Sequence, residues 1–244
     1  MSSPARIGLI IPSSNRMVEQ EMVRYLPAGV QAHVARLRMT GPHHIPLDRL
    51  LPRIEEAART LTDAKCDVVV FHCTANSMSE GRDGEEHVLA ALQHAGARHA
   101  LTTATAIRRA LDALHARRIV LVTPYNARTT AEEVEFLRHA GYEVLHAVGH
   151  DLGGSDAFCA ARADFWRERV IEAERRDADV YFLSCANISA FGVIEAIERR
   201  LGRPLITSNQ AVLWGALCEL GWRECGGCPG RLFERTSEPA RVPA

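Results

Sequence analysis

Two stretches, Asp67-Val68-Val69-Val70-Phe71-His72-Cys73 and Asp179-Val180-Tyr181-Phe182-Leu183-Ser184-Cys185, decide the fold. Each is a short apolar run opened by Asp and closed by Cys, of the β-branched and aromatic kind that fills strands buried on both faces of a parallel sheet. They lie 112 positions apart. Arg6-Ile7-Gly8-Leu9-Ile10-Ile11-Pro12-Ser13-Ser14-Asn15 is echoed at the same distance by Arg118-Ile119-Val120-Leu121-Val122-Thr123-Pro124-Tyr125-Asn126, and Gly29 and Gly141 obey it too. Further on, Leu101-Thr102-Thr103-Ala104-Thr105 resembles Ile206-Thr207-Ser208-Asn209-Gln210 at an offset of 105. A constant long offset marks a duplicated unit, and one shortened loop accounts for the slip.

Working outward, residues 7–12, 31–37, 68–71 and 100–102 read as strands of the first unit, with helical spacing over 16–26 and 47–64. The second unit repeats this with strands at 119–123, 143–148, 180–183 and 205–207 and helices at 129–140, 157–176 and 190–201. Gly29 follows a helix end, where a left-handed residue is wanted. Alternating strands and helices with right-handed crossovers predict an α/β fold. Two pseudo-twofold-related parallel-sheet halves, 1–115 and 116–222, would face one another across a cleft. The segment 223–244 has four Pro or Gly in its first eight positions. It reads as a flexible tail, ordered only where something docks it.

The composition limits the function classes. The 244 residues carry 29 Lys+Arg against 30 Asp+Glu, a formal net charge of −1, with 47% apolar and 24% charged residues. That is a chain able to build a sizeable core, not a disordered one. It lacks the excess basic charge through which nucleic acids and anionic membranes are engaged, so neither is expected as a partner. No apolar run approaches the roughly 20 residues needed to span a bilayer, and Met1 to Arg6 leads into a strand, not a signal sequence. A cytoplasmic protein with reduced thiols is the expectation, because seven scattered cysteines, an odd number, do not make a disulfide framework.

Ligands of parallel α/β sheets bind beyond the carboxyl ends of the strands. Cys73 and Cys185 stand there in equivalent places, so the pseudo-twofold puts them on opposite walls of one site, able to address two faces of one bound carbon. A thiolate is both nucleophile and base, and at a helix N-terminus it is favoured by exposed N–H groups and the helix dipole. The N–H groups following each cysteine, at Thr74, Ala75 and Ala186, can hold a carboxylate or the enediolate formed beside one. Ser14, Asn15 and Tyr125, in the loops after the first strand of each unit, supply directed hydrogen bonds. Arg16 is the one cation in these loops. The expected partner is therefore a small carboxylate, handled by backbone dipoles.

Plainer readings apply to the remaining features. A lone cysteine ending an apolar strand is ordinarily core; it is the symmetric recurrence that singles out Cys73 and Cys185. His72 reads as a half-buried, satisfied histidine pointing away from the face that Cys73 uses, and Asn76, Ser77 and Asn187 as helix caps. Cys66, Cys159 and Cys218 read as structural. The lone Cys225-Gly226-Gly227-Cys228 is weak evidence for zinc or redox work, the adjacent His43 and His44 cannot easily face one metal, and Gly153-Gly154 is too short for a phosphate loop.

From about Arg6 to Trp222 the ordered motifs resemble a known family. Pro12-Ser13-Ser14-Asn15, the strand-end Cys73, Thr123-Pro124-Tyr125, and Ser184-Cys185-Ala186-Asn187 leading to Leu205-Ile206-Thr207-Ser208-Asn209-Gln210 are similar to the maleate cis-trans isomerase branch of the aspartate/glutamate racemase superfamily, which also holds arylmalonate decarboxylases. The resemblance implies a cofactor-independent enzyme, frequently dimeric, with its site between two α/β halves. It implies that Cys73 adds to the double bond of maleate, that the adduct rotates about the resulting single bond, and that Cys185 donates a proton. Asn15, Tyr125 and the backbone at Thr74 and Ala75 would bind carboxylates. The decarboxylase branch keeps a cysteine only at the position of Cys185 and has glycine at that of Cys73. The alternatives are an aspartate, glutamate or hydantoin racemase, an arylmalonate-type decarboxylase, or a non-catalytic carboxylate-binding protein.

Overall fold

The structure, a computed structural model, describes residues 4–39, 45–222, 225 and 227–235. His43 and His44 lie outside the described residues. In the first half β1 (Ala5–Pro12) is followed by α1 (Val18–Met22), β2 (Val30–Leu37), α2 (Leu47–Asp63), β3 (Val68–Phe71), α3 (Thr74–Met78), α4 (Gly81–His94), β4 (His99–Thr102) and α5 (Thr103–Ala113). The second half runs β5 (Arg118–Thr123), α6 (Ala127–His139), β6 (Glu143–Gly149), α7 (Ser155–Ala160), α8 (Ala163–Glu172), β7 (Val180–Leu183), α9 (Ile194–Leu201), β8 (Leu205–Thr207) and α10 (Ser208–Glu219).

Each half folds around one four-stranded sheet, in the orders β2-β1-β3-β4 and β6-β5-β7-β8, with every pairing parallel. The sequence echo is thus a structural repeat. The central strands β3 and β7 are buried at every position, as runs covered by helices on both faces must be. Gly29 and Gly141 sit at φ 92° and 91°, left-handed turns that return the chain from a helix to β2 and β6 at little steric cost.

The expected helix over 157–176 is two. Ala161 and Arg162 are extended, which lets Phe158 turn toward the ring of Tyr125, centroids 5.8 Å apart, while α8 buries Trp166 and Val170 in a different direction. Four described helices were given no range in the sequence: α3, α4, α5 and α10. From Ser208 to Leu217, α10 is buried on every side, so it has no polar stripe to betray a helical period. It packs on α5, where Gly215 leaves room, since a Cβ there would stand 3.2 Å from Leu101 Cδ2 and 3.4 Å from Ala106 Cβ. This pair joins the halves at the centre of a core drawn from both.

Part of the segment read as a tail is docked. Leu232, in a 3₁₀ turn at Arg231–Glu234, is fully buried. Gln210 Nε2 donates to the Pro229 carbonyl (2.7 Å), and the Arg231 N–H donates to the Glu198 carboxylate (3.0 Å). Cys225 and Cys228 are joined as a disulfide, and Cys66, Cys73, Cys159, Cys185 and Cys218 take part in none, so the reduced state expected of the cysteines applies to those five. No described helix is long and apolar enough to cross a membrane.

Candidate active site

The carboxyl ends of β1, β3, β5 and β7 open into one cavity of about 100 Å³. Cys73, Thr74 and Ala75 line it from the first half together with Ser14 and Asn15, and Tyr125, Cys185 and Ala186 line it from the second. All eight residues singled out in the sequence therefore meet at one place. Asn76, Asn187, Met39, Thr129, Ser155 and Phe158, which were not singled out as ligand contacts, line it too. Among the described lining residues there is no Lys, Arg, Asp or Glu. Arg16 is turned outward to the exposed Asp156, 2.7 Å away, so an anion in the cavity would be held by neutral donors.

The loops are stitched across the seam between the halves. Asn15 Oδ1 accepts the N–H groups of Met17 and Val18 (both 3.0 Å) and its Nδ2 donates to the Ala186 carbonyl (3.0 Å). Asn15 is thus first a brace for its own loop and for that of Cys185, with one Nδ2–H left for a ligand. The Arg16 N–H donates to Asn187 Oδ1 (2.9 Å), and Ser155 Oγ donates to Ser14 Oγ (3.0 Å). Thr74 Oγ1 is buried without a hydrogen-bond partner among the described residues, a polar atom available to a ligand on the wall that Cys73 occupies.

The two sulfurs have different surroundings. Cys73 precedes α3 in extended conformation (φ −145°), and its thiol donates to Asn76 Oδ1 at 3.3 Å. Cys185 has φ 115°, a region costing a non-glycine residue about 1–3 kcal/mol and characteristic of functional sites. Its N–H donates to Ser208 Oγ (3.1 Å), while its sulfur accepts the Asn187 N–H (3.3 Å) and the Tyr125 hydroxyl. Tyr125 is placed by the turn after β5, where its N–H donates to Thr123 Oγ1 (3.1 Å).

The expectation that both cysteines stand at helix N-termini holds for Cys73, which caps α3, and fails for Cys185. Cys185 leads into a turn, with the next helical residues, a 3₁₀ turn, at Phe191–Val193. Burial pushes the Cys73 thiol up to about 11, against which the Asn76 N–H works. It pushes Cys185 up to about 12, opposed by the Tyr125 hydroxyl and the Asn187 N–H. Desolvation also holds the Tyr125 phenol well above its usual range. Both resting sulfurs are thiols.

Beneath the cavity lie buried polar groups. His72 is fully buried, deeper than expected. With Asn209 Oδ1 as acceptor, its Nε2–H donates there (2.9 Å), and Nδ1 faces Thr103 Oγ1 (2.9 Å). Burial lowers it to about 4, so it is neutral and structural. Asn209 donates in turn to Glu21 (3.2 Å), which also accepts the N–H groups of Ala190 (2.6 Å) and Phe191 (3.0 Å). Glu133 stands 112 positions from Glu21 and is also buried. It accepts only from Ser184 Oγ (3.0 Å), leaving Oε2 unpartnered among the described residues. Burial raises Glu133 to about 8. The repeat itself was the available signal for this pair.

The comparisons with known proteins agree with this architecture. The chain is 28% identical over 239 residues to a maleate isomerase of Geobacillus stearothermophilus, covering 90% of this chain and 93% of that protein. It is 27% identical over 246 residues to an arylmalonate decarboxylase of Bordetella bronchiseptica, covering 96% and 99%. Among solved structures, a cysteine-to-alanine variant of the maleate isomerase Iso from Pseudomonas putida S16, crystallised with maleate, superposes with a TM-score of 0.87 at 25% identity, covering 95% of this chain and 98% of that one. The model of the arylmalonate decarboxylase family matches residues 7–233, and the chain belongs to that family.

Proposed function

We propose that the protein is a cofactor-independent maleate cis-trans isomerase that works with two thiols. The observation that carries the reading is that Cys73 and Cys185, one from each half, line the same small cavity. Decarboxylation through the position of Cys185 alone gives Cys73 no task. The cavity's size and its neutral donors suit a short dicarboxylate, and the maleate isomerases among its relatives support the same choice.

In this reading Cys73 reacts as the thiolate, its proton having passed to solvent. Its sulfur forms a bond to one alkene carbon, and the π pair moves onto the far carbon and its carboxylate as an enediolate. The first-turn N–H groups of α3, which lack intrahelical acceptors, and the free Thr74 hydroxyl hold that charge. Cys185 then gives its proton to the far carbon, and the Asn187 N–H and Tyr125 O–H already aimed at its sulfur stabilise the thiolate left behind. The adduct turns about its new single bond. Cys185 takes a proton back from the same carbon, the double bond re-forms trans, and Cys73 departs. The net reaction adds and removes nothing.

Proton NMR in deuterated buffer on a panel of maleate, aspartate, glutamate, a hydantoin and an arylmalonate tests this. Fumarate should accumulate from maleate, with Cys73→Ser and Cys185→Ser each folded and inactive. Full activity in either variant overturns the two-thiol reading. Arylmalonate turnover that survives Cys73→Gly would assign a decarboxylase instead, and a panel left wholly unlabelled a carboxylate-binding protein.

A further inference from the structure

We propose that Asn76 is a catalytic residue of the reaction just described, on which the proposal rests: its side-chain amide turns over with the ionisation of Cys73, accepting from the thiol and donating to the thiolate. The amide touches the reacting atom, with Cys73 Sγ donating to Oδ1 at 3.3 Å. That contact has the wrong polarity for the nucleophile, because once the thiol proton has gone to solvent the carbonyl oxygen faces a sulfur anion. A half-turn about χ2 exchanges Oδ1 for Nδ2 at nearly the same position, across a torsion that is broad and roughly two-fold, and so replaces a repulsion with a charge-assisted hydrogen bond.

Three observations favour a turning amide over a cap. Asn76 lines the cavity and is half-buried, which leaves the group room to move. Among the described residues its side chain makes no hydrogen bond other than the one from the thiol. Across the pseudo-twofold, the position equivalent to Asn76 is the buried, apolar Ile188, and the second sulfur relies on the fixed donors Asn187 N–H and Tyr125 O–H. The repeat has kept the cysteine on both walls and placed an adjustable amide on only one. It stands beside the thiol that must ionise before attack, adding to the Asn76 N–H already there, while the thiol that supplies a proton has the Asn187 N–H and the Tyr125 hydroxyl and no such amide.

The test follows Cys73 directly. The intact protein and the variants Asn76→Leu and Asn76→Asp are pulsed with iodoacetamide across a pH series, and alkylation of Cys73 and Cys185 is read separately by peptide mass spectrometry. Leucine removes the donor, so the Cys73 midpoint should rise by about one pH unit, which is about tenfold slower alkylation at fixed pH. Aspartate, nearly isosteric, puts an anion beside the sulfur and should raise the midpoint further, whereas Cys185, which feels Cys73 across the same cavity but has no contact with the amide, should move by clearly less than Cys73 in both variants. Maleate turnover should fall in the same order through kcat, with KM little altered. Identical Cys73 midpoints in the three folded proteins overturn the proposal whether or not maleate is turned over. Shifted midpoints in a protein inert toward maleate overturn the isomerase reading and leave the coupling between amide and thiolate supported.

Discussion

Replacing Glu133 by glutamine separates the cost of burying an ionisable acid from the packing of the same shape. The side chain is 1% exposed, its Oε1 accepts from Ser184, and burial raises it from 4.5 to about 8. The native state therefore holds the proton more tightly than the unfolded chain does. Between the two values the unfolded state gains by releasing its proton, so native stability falls as pH rises from about 4.5 and levels off above about 8. At about 1.4 kcal/mol per pH unit, the loss reaches about 3 kcal/mol at neutrality and about 5 kcal/mol at its limit. Glutamine keeps the acceptor for Ser184 and does not titrate. A protonated glutamic acid leaves one polar hydrogen without a partner and a glutamine two, so the variant should start from a small deficit at the acid end that does not depend on pH. Toward pH 8 the variant should gain progressively on the native protein. Urea unfolding at several pH values measures this as a midpoint difference that moves in the variant's favour as pH rises, at constant m-value. Glu21 and Glu198, also raised by burial, contribute equally to both proteins and cancel. A gap that does not change with pH, or a variant that loses ground as pH rises, would refute the reasoning.

Other substitutions probe the scaffold of the site. At the positive φ of Cys185, Cys185→Gly should be about 1 kcal/mol more stable than Cys185→Ala, although both are inactive; equal denaturation midpoints would dispose of the strain. A Cβ at Gly149 would lie 2.5 Å from Thr130 Oγ1 and 2.6 Å from the Tyr125 carbonyl oxygen, so Gly149→Ala should displace Tyr125 and lower kcat, and an unchanged rate of fumarate formation would count against that phenol. Asn15→Ala removes an acceptor shared by two N–H groups and a bond to Ala186, with an expected loss of about 1–3 kcal/mol and a higher KM, checked by denaturation and by maleate titration.

The strand-end cysteines were legible because each closes an apolar run that can only be a buried strand, and the repeat placed both on one cleft. The helix α10 was not, because Ser208–Leu217, buried all round, carries no helical period. The protonation of the thiols could not be read either, since it depends on depth. Raising Cys73 from 9.0 to about 11 corresponds to about 3 kcal/mol, whereas a helix dipole is worth about 0.3–1 kcal/mol, and the larger effect wins. Asn76 and Asn187 looked alike as caps in the sequence, yet Asn76 adds a side-chain oxygen to its backbone N–H at Cys73, whereas Asn187 meets Cys185 with its backbone N–H and turns its side chain to Arg16. Only the path of the chain after each strand distinguishes them.

The stitched seam also bears on how the protein fails when heated. The bonds from Asn15 to Ala186, from Glu21 to Ala190, Phe191 and Asn209, and from His72 to Asn209 would all have to break for one half to part from the other, and these same bonds hold the loops that aim the two sulfurs. Neither half has a separate melting event open to it. Calorimetry should show one endotherm whose van't Hoff and calorimetric enthalpies agree, and catalytic competence should vanish along the same curve as the fold.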